Sequence, residues 1–125
     1  MEPTNEQPTV LFVGNDLMFQ SKISSACKQA GVTLKVLRNA QAFSPESLGE
    51  SLPRMIIVDL GLASLDLAGL LPRVREVSPQ SKWLGYGSHV FADQLDAASE
   101  LGLDTVMTRG QFDRDMVRVL QSITL

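Results

Sequence analysis

The chain has 125 residues, of which 44% are hydrophobic and 20% are charged, and its formal net charge is −3. These values are typical of one globular domain with its own core, and the scattered basic residues argue against a nucleic-acid-binding surface. A single cysteine and a single histidine exclude an intramolecular disulfide and a metal cage of Cys and His side chains within one chain.

The polar start of the chain predicts a flexible tail at residues 1–8, followed by one domain at residues 9–125. This tail lacks the basic start and the apolar stretch of a signal peptide. The sequence also nowhere approaches the roughly 18 continuous apolar residues of a membrane span. We therefore predict a cytoplasmic protein without a membrane segment.

Strand-length apolar runs alternate five times with helical patterns. In chain order, the prediction is strand Thr9–Val13, helix Leu17–Ala30, strand Thr33–Leu37, a short weak helix over 44–52, strand Met55–Asp59, a helix over 65–77, strand 82–86, a helix over 93–101, strand 105–107 and an amphipathic helix over 112–123. Such alternation with short connections indicates a parallel sheet with helices on both faces.

The third predicted strand ends in a carboxylate. Its run Met55-Ile56-Ile57-Val58-Asp59 is too short for a helix and is typical of a strand that is buried on both faces. Ligands bind at the carboxyl edge of open α/β sheets, which is where Asp59 would lie. There the carboxylate could accept a phosphoryl group, bind a metal or simply end the strand.

Five βα units with an aspartate at the end of the third strand resemble the response-regulator receiver domain of two-component signalling. The most specific stretch is LGLDTVMTRG at residues 101–110, which is similar to the receiver segment of a helix-ending glycine, a short strand and a TKP turn. The resemblance covers nearly the whole chain and implies a flavodoxin-like (βα)5 fold, a three-layer sandwich with its parallel sheet in the order 2-1-3-4-5.

In receivers, an acidic pair after the first strand holds Mg²⁺ while the third-strand aspartate attacks a phosphoryl group. By position, the resemblance places the acidic pair on Gly14 and Asn15, with Asp16 directly after them, and the phospho-acceptor on Asp59. Mg²⁺ prefers carboxylate-containing oxygen sites. Asn15 and Asp59 could each contribute one oxygen, but Asp16 is expected to point away. We therefore predict no resident metal or other cofactor, with Mg²⁺ relevant only if Asp59 is phosphorylated.

The residues that bind the phosphoryl oxygens in receivers are also replaced. The Ser/Thr position falls on Gly87, with Ser88 next, and the lysine position falls on Arg109. An arginine keeps the charge but forms fixed bidentate pairs with carboxylates, so we expect Arg109 to lie near Asp59 and to pair with it. This pattern is that of a pseudo-receiver.

The resemblance also suggests an interaction surface around the fourth and fifth strands. Tyr86, His89, Phe91 and Val106 would belong to it, Val106 at the position of the receiver's switch aromatic. Tyr86 fits a core position equally well. Glycines at strand ends, such as Gly14 and Gly87, could line a small-ligand site or serve tight turns at positive φ.

Three functions remain open from the sequence. The leading interpretation is a stand-alone, non-enzymatic receiver-like module that acts by protein–protein contact without aspartyl phosphorylation. Its partner would be a histidine kinase or an output protein, because no DNA-binding region follows Leu125, and it could form a homodimer through its fourth helix, fifth strand and last helix. The alternatives are a response regulator phosphorylated at Asp59 and a sensor of a small ligand or anion at the carboxyl edge of the strands.

Overall fold

The computed structural model describes residues 7–124, so residues 1–6 of the predicted tail and residue 125 lie outside the described part. The described elements are β1 (Thr9–Val13), α1 (Leu17–Ala30), β2 (Thr33–Leu37), β3 (Met55–Asp59), α2 (Leu67–Val77), β4 (Lys82–Gly87), α3 (Ala92–Glu100), β5 (Thr105–Thr108) and α4 (Arg109–Gln121). Within this range, none of the helices combines the length and the apolar character needed to cross a membrane.

The five strands form one parallel sheet in the order β2-β1-β3-β4-β5. This order confirms the predicted flavodoxin-like fold. The central strand β3 lies between β1 and β4, and its last residue, Asp59, pairs in register with Tyr86. The ends of β1, β3 and β4 therefore meet at one edge of the sheet.

Side chains of β3 alternate between two hydrophobic cores, as the period of two in a strand requires. Met55 and Ile57 pack on the side of α1 and α4, while Ile56 and Val58 pack on the side of α2 and α3. All five residues of β3 are buried. Burial on both faces explains why this strand is the most continuous apolar run in the chain.

The connection between β2 and β3 differs from the prediction. Instead of a helix over 44–52, two short 3₁₀ turns occupy Ala40–Ala42 and Pro45–Leu48. Gly49 ends the second turn at a φ of 69°, a conformation that L-residues rarely adopt. Phe43 and Leu48 are buried in the core, so this segment covers the sheet without an α-helix.

Candidate functional site at the carboxyl edge of the sheet

Asp59 lies buried at the carboxyl edge of the sheet, where β3 ends. Its side chain is 5% exposed, and its Oδ1 accepts a hydrogen bond from the backbone N–H of Gly61 at 2.9 Å. Burial raises the pKa of Asp59; the Gly61 hydrogen bond and the charge of Arg109 oppose the rise, and the charge of Asp16 adds to it. Asp59 is thus a poorly solvated carboxylate that prefers to be neutral more than a free aspartate does.

Gly14 is a glycine because its neighbours leave no room for a side chain. A Cβ at this position would lie 2.6 Å from Cζ of Phe12 and 3.2 Å from Cβ of Asp59. Among the described glycines, those with positive φ are Gly31, Gly49 and Gly102. The interpretation of the strand-end glycines as positive-φ turns is therefore wrong, and at Gly14 the reason for glycine is close packing.

Asp16 faces the site, contrary to expectation. Its Oδ1 accepts a hydrogen bond from the N–H of Phe19 at 3.1 Å and caps α1, as Asp commonly does at this position. Its Oδ2 lies 3.4 Å from Nη1 of Arg109. Within residues 7–124, the ion pair of Arg109 is therefore with Asp16, and the expected direct pair with Asp59 does not form.

Arg109 also lies over two aromatic rings. Its Cζ is 5.5 Å from the ring centroid of Phe19 and 6.0 Å from that of Tyr86, distances at which a cation is attracted to the ring face. The rings of Phe19 and Tyr86 stack at 4.6 Å, with Phe112 at 5.3 Å from Tyr86. The contacts with these rings and the ion pair with Asp16 together hold the Arg109 side chain in place.

Tyr86 lies in the core and not on the predicted interaction surface. It is completely buried, because β4 directs it into the aromatic cluster under α1 and α4. Its hydroxyl has no hydrogen-bond partner among the described residues, and burial, followed by the charge of Asp59, raises its pKa. The buried Trp83 lies in the core on the other face of the sheet.

Neither a protein-family model nor a curated protein matches this sequence. Solved structures do match the fold. The chemotaxis response regulator CheY4 of Vibrio cholerae aligns with a TM-score of 0.73 at 14% identity, over 94% of this chain and 99% of its own. A putative response regulator from Chloroflexus aurantiacus aligns with a TM-score of 0.76 at 18% identity, over 95% and 98%. A signal receiver domain of an HD domain-containing protein from Pseudomonas fluorescens aligns with a TM-score of 0.77 at 15% identity, over 99% and 91%.

This chain has the receiver-domain fold. At such low identities, the likeness concerns the architecture of the chain, so the chemistry of the edge must be judged from its own residues. In the structure, Gly14 to Asp16 follow β1, Asp59 ends β3, Gly87 ends β4, and Arg109 begins α4 directly after β5.

These residues do not fit the Mg²⁺ that the receiver fold implies. Gly14 has no ligand atom, Asn15 is exposed, and both carboxylate oxygens of Asp16 already have partners. Among residues 7–124, no group of three or more His, Cys, Asp or Glu side chains is placed to hold a metal ion. One oxygen of Asp59 is also engaged by Gly61. The donor set is therefore too poor in free carboxylates for this hard cation.

The remaining residues of the predicted surface differ in exposure. His89 and Phe91 are exposed, whereas Val106 is half-buried. The half-buried Ser88 accepts a hydrogen bond from the N–H of Val90 at 3.3 Å and shapes the loop after β4. Val90, which the sequence interpretation missed, is 68% exposed; two consecutive large apolar residues just before a helix were the available signal.

A groove of about 570 Å³ opens beside Arg109, between the start of α1, the loop after β4 and the start of α4. Its lining residues are Asp16, Met18, Phe19, Lys22, Ser88, His89, Arg109, Gly110 and Asp113. Lys22 pairs with Asp113 at 3.1 Å, and Arg109 pairs with Asp16. Because both cations already have anionic partners, the groove offers little net positive charge to an anion.

Proposed function

We propose that this protein is a receiver-like signalling module that acts through protein–protein contacts and is not phosphorylated at Asp59. The observation that carries the proposal is the packing of Phe12 against Gly14. The ring lies where a Cβ at position 14 would have to be, and the resemblance gives this position to the first carboxylate of the metal site. The packing of the core therefore supports the proposal that the metal site has been lost.

Electrostatics supports the same conclusion. A carboxylate that attacks a phosphoryl group must overcome repulsion between like charges, and a divalent cation normally offsets it. Here the nearby Asp16 adds a further negative charge to the surroundings of Asp59. Arg109 is committed to Asp16 and to two aromatic rings, so its charge is already partly neutralised.

Protein contact is then the best-supported way for this chain to transmit a signal. The partner would be a histidine kinase or an output protein, and the module itself would be cytoplasmic. The anion-sensor alternative is less well supported, since Lys22 and Arg109 face the groove already paired with carboxylates. We infer a non-enzymatic module whose state depends on what binds to it.

Intact-protein mass spectrometry tests the proposal after incubation with Mg²⁺ and a small phosphodonor such as acetyl phosphate. We expect no addition of a phosphoryl group to the wild type. The double variant Gly87→Ser/Arg109→Lys restores two receiver positions, and a Cβ at Gly87 meets ordinary contacts of 3.4 Å. It should also remain unmodified, because it still lacks the metal ligands.

One result of this experiment would contradict the proposal. Stoichiometric, hydroxylamine-labile addition of one phosphoryl group to the wild type, lost in Asp59→Asn, would refute the proposal. It would establish the phospho-acceptor alternative instead.

A further inference from the structure

The loop after β4 exposes two large apolar side chains that folding does not require. Val90 is 68% and Phe91 is 57% exposed. Phe91 occupies the N-cap position of α3 and makes no side-chain cap hydrogen bond, although Ser, Thr, Asp or Asn would stabilise a helix start there. An aromatic residue at this position therefore lowers helix stability and leaves apolar surface in water.

The solvent face of α3 carries a stripe of carboxylates. Asp93, Asp96 and Glu100 are spaced i, i+3 and i+7, so at 100° per residue they share one face of the helix, and all three are exposed. The buried Ala98 lies on the opposite side. None of the three carboxylates has an ion pair or a side-chain hydrogen bond within residues 7–124.

Part of this stripe disfavours the helix that carries it. Like charges one turn apart destabilise a helix, and Glu100 in the last turn opposes the helix dipole, although Asp93 in the first turn favours it. No lysine or arginine lies between residues 83 and 108 to offset them. Local departures from folding preference of this kind are typical of functional surfaces.

We propose that the α3 face, defined as Val90, Phe91, Asp93, Asp96 and Glu100, binds a basic segment of a partner protein through an apolar anchor residue. Phe91 and Val90 would receive the anchor, and the carboxylate stripe would receive lysine or arginine side chains. The inference rests on the proposed function and names the chemistry of its partner.

The occupant is a different protein rather than a second copy. A two-fold interface through this face would set one carboxylate stripe against another, and like-charge juxtaposition opposes binding. The basic side chains of this chain are also largely engaged. Arg54 and Arg75 donate to backbone carbonyls, while Lys22, Arg109 and Arg118 pair with aspartates. A second copy would therefore offer few basic side chains to this stripe, and a basic segment of another protein matches it better.

Two synthetic lysine-rich peptides of identical composition provide the probe. One carries its leucines on one helical face, and the other carries them dispersed. Binding to the unphosphorylated, isotope-labelled full chain is followed by amide chemical shifts and by titration at several salt concentrations. We expect the peptide with its leucines on one face to change the amide chemical shifts of residues 88–101. It should bind more tightly than the peptide with dispersed leucines, and its affinity should fall as the salt concentration rises.

Matched variants separate binding from folding. Phe91→Ser should weaken binding of the peptide with its leucines on one face about tenfold, the equivalent of about 1.4 kcal/mol. The melting temperature of this variant should stay unchanged or rise, because serine can cap α3. Asp93→Asn/Asp96→Asn/Glu100→Gln should weaken binding and flatten its salt dependence. The control Glu46→Gln/Glu50→Gln/Glu76→Gln neutralises three exposed carboxylates elsewhere and should bind like the wild type.

The inference is overturned if the shifts fall outside residues 88–101, if neither peptide binds, or if the control weakens binding as much as the stripe variant does. Concentration-dependent self-association through the same amides would assign the face to a second copy and also overturn it. Phosphoryl transfer to Asp59 would refute the proposed function without altering these binding measurements, so the two failures can be told apart.

Discussion

Gly14→Ala should destabilise the protein although the backbone accepts alanine. The new Cβ would lie 2.6 Å from Cζ and 2.9 Å from Cε1 of Phe12, about 1 Å closer than optimal carbon contacts. Phe12 is fully buried and cannot move aside freely. Overpacking costs about 1–3 kcal/mol, and the lower entropy of the unfolded chain returns about 0.4–1 kcal/mol. The net loss is about 1.5 kcal/mol, or roughly 6 °C in melting temperature.

Chemical denaturation of four proteins tests this reasoning: the wild type, Gly14→Ala, Phe12→Leu and the double variant. Leucine lacks the clashing ring atoms, so Gly14→Ala should cost much less in the Phe12→Leu background, where only the contact of 3.2 Å with Cβ of Asp59 remains tight. Gly110→Ala is the control, since a Cβ there meets nothing within 4 Å and should be neutral or stabilising. An equal cost of Gly14→Ala in both backgrounds would refute the assignment of the clash to Phe12.

Two further substitutions test the polar part of the site. Because burial raises the pKa of Asp59, this group stabilises the fold most below its ordinary pKa of about 4 and loses that contribution as pH rises to the folded-state value. Asp59→Asn keeps an acceptor for Gly61, so thermal melts should show higher stability at neutral pH and a flatter pH profile; an unchanged profile would contradict this. Arg109→Lys loses the planar stack and should cost about 0.5–1 kcal/mol in urea denaturation, whereas the more exposed Arg114→Lys should cost nothing; equal losses would contradict the stacking.

The fold was predictable because its signals are local and repeated. The run Met55–Asp59 is apolar at every position before Asp59, and the structure buries it on both faces. Gly31 ends α1 at a φ of 75°, as its place after the helical stripe indicated. The position of Asp59 at the sheet edge follows from chain direction in a parallel sheet. Each of these features depends on a few consecutive residues.

The interior of the site was not predictable in this way because it depends on packing between distant segments. Strand β4 places Trp83 and Tyr86 at positions of opposite parity, so alternation alone cannot say which aromatic is exposed, and both are buried. The space next to Gly14 is taken by the Phe12 ring, which the sequence cannot reveal. Asp16 turns towards Arg109, 93 positions away along the chain, because capping α1 fixes its direction.

Residues that lower the stability of the fold indicate which parts of this chain contact other molecules. Functional sites are where sequences commonly give up folding preference. At the Asp59 edge, most polar groups are used in the fold, since Asp16 caps a helix and Arg109 has both a carboxylate and aromatic partners. The buried Asp59 carboxylate and the unpartnered Tyr86 hydroxyl are the costly groups there. Further departures, all of them on the surface, lie on the α3 face, where Phe91 replaces a capping residue and the carboxylates lack ion-pair partners within residues 7–124. Together with the tight packing around Gly14, the exposed apolar and acidic residues of the α3 face support the proposal that this chain binds a partner protein there and accepts no phosphoryl group at Asp59.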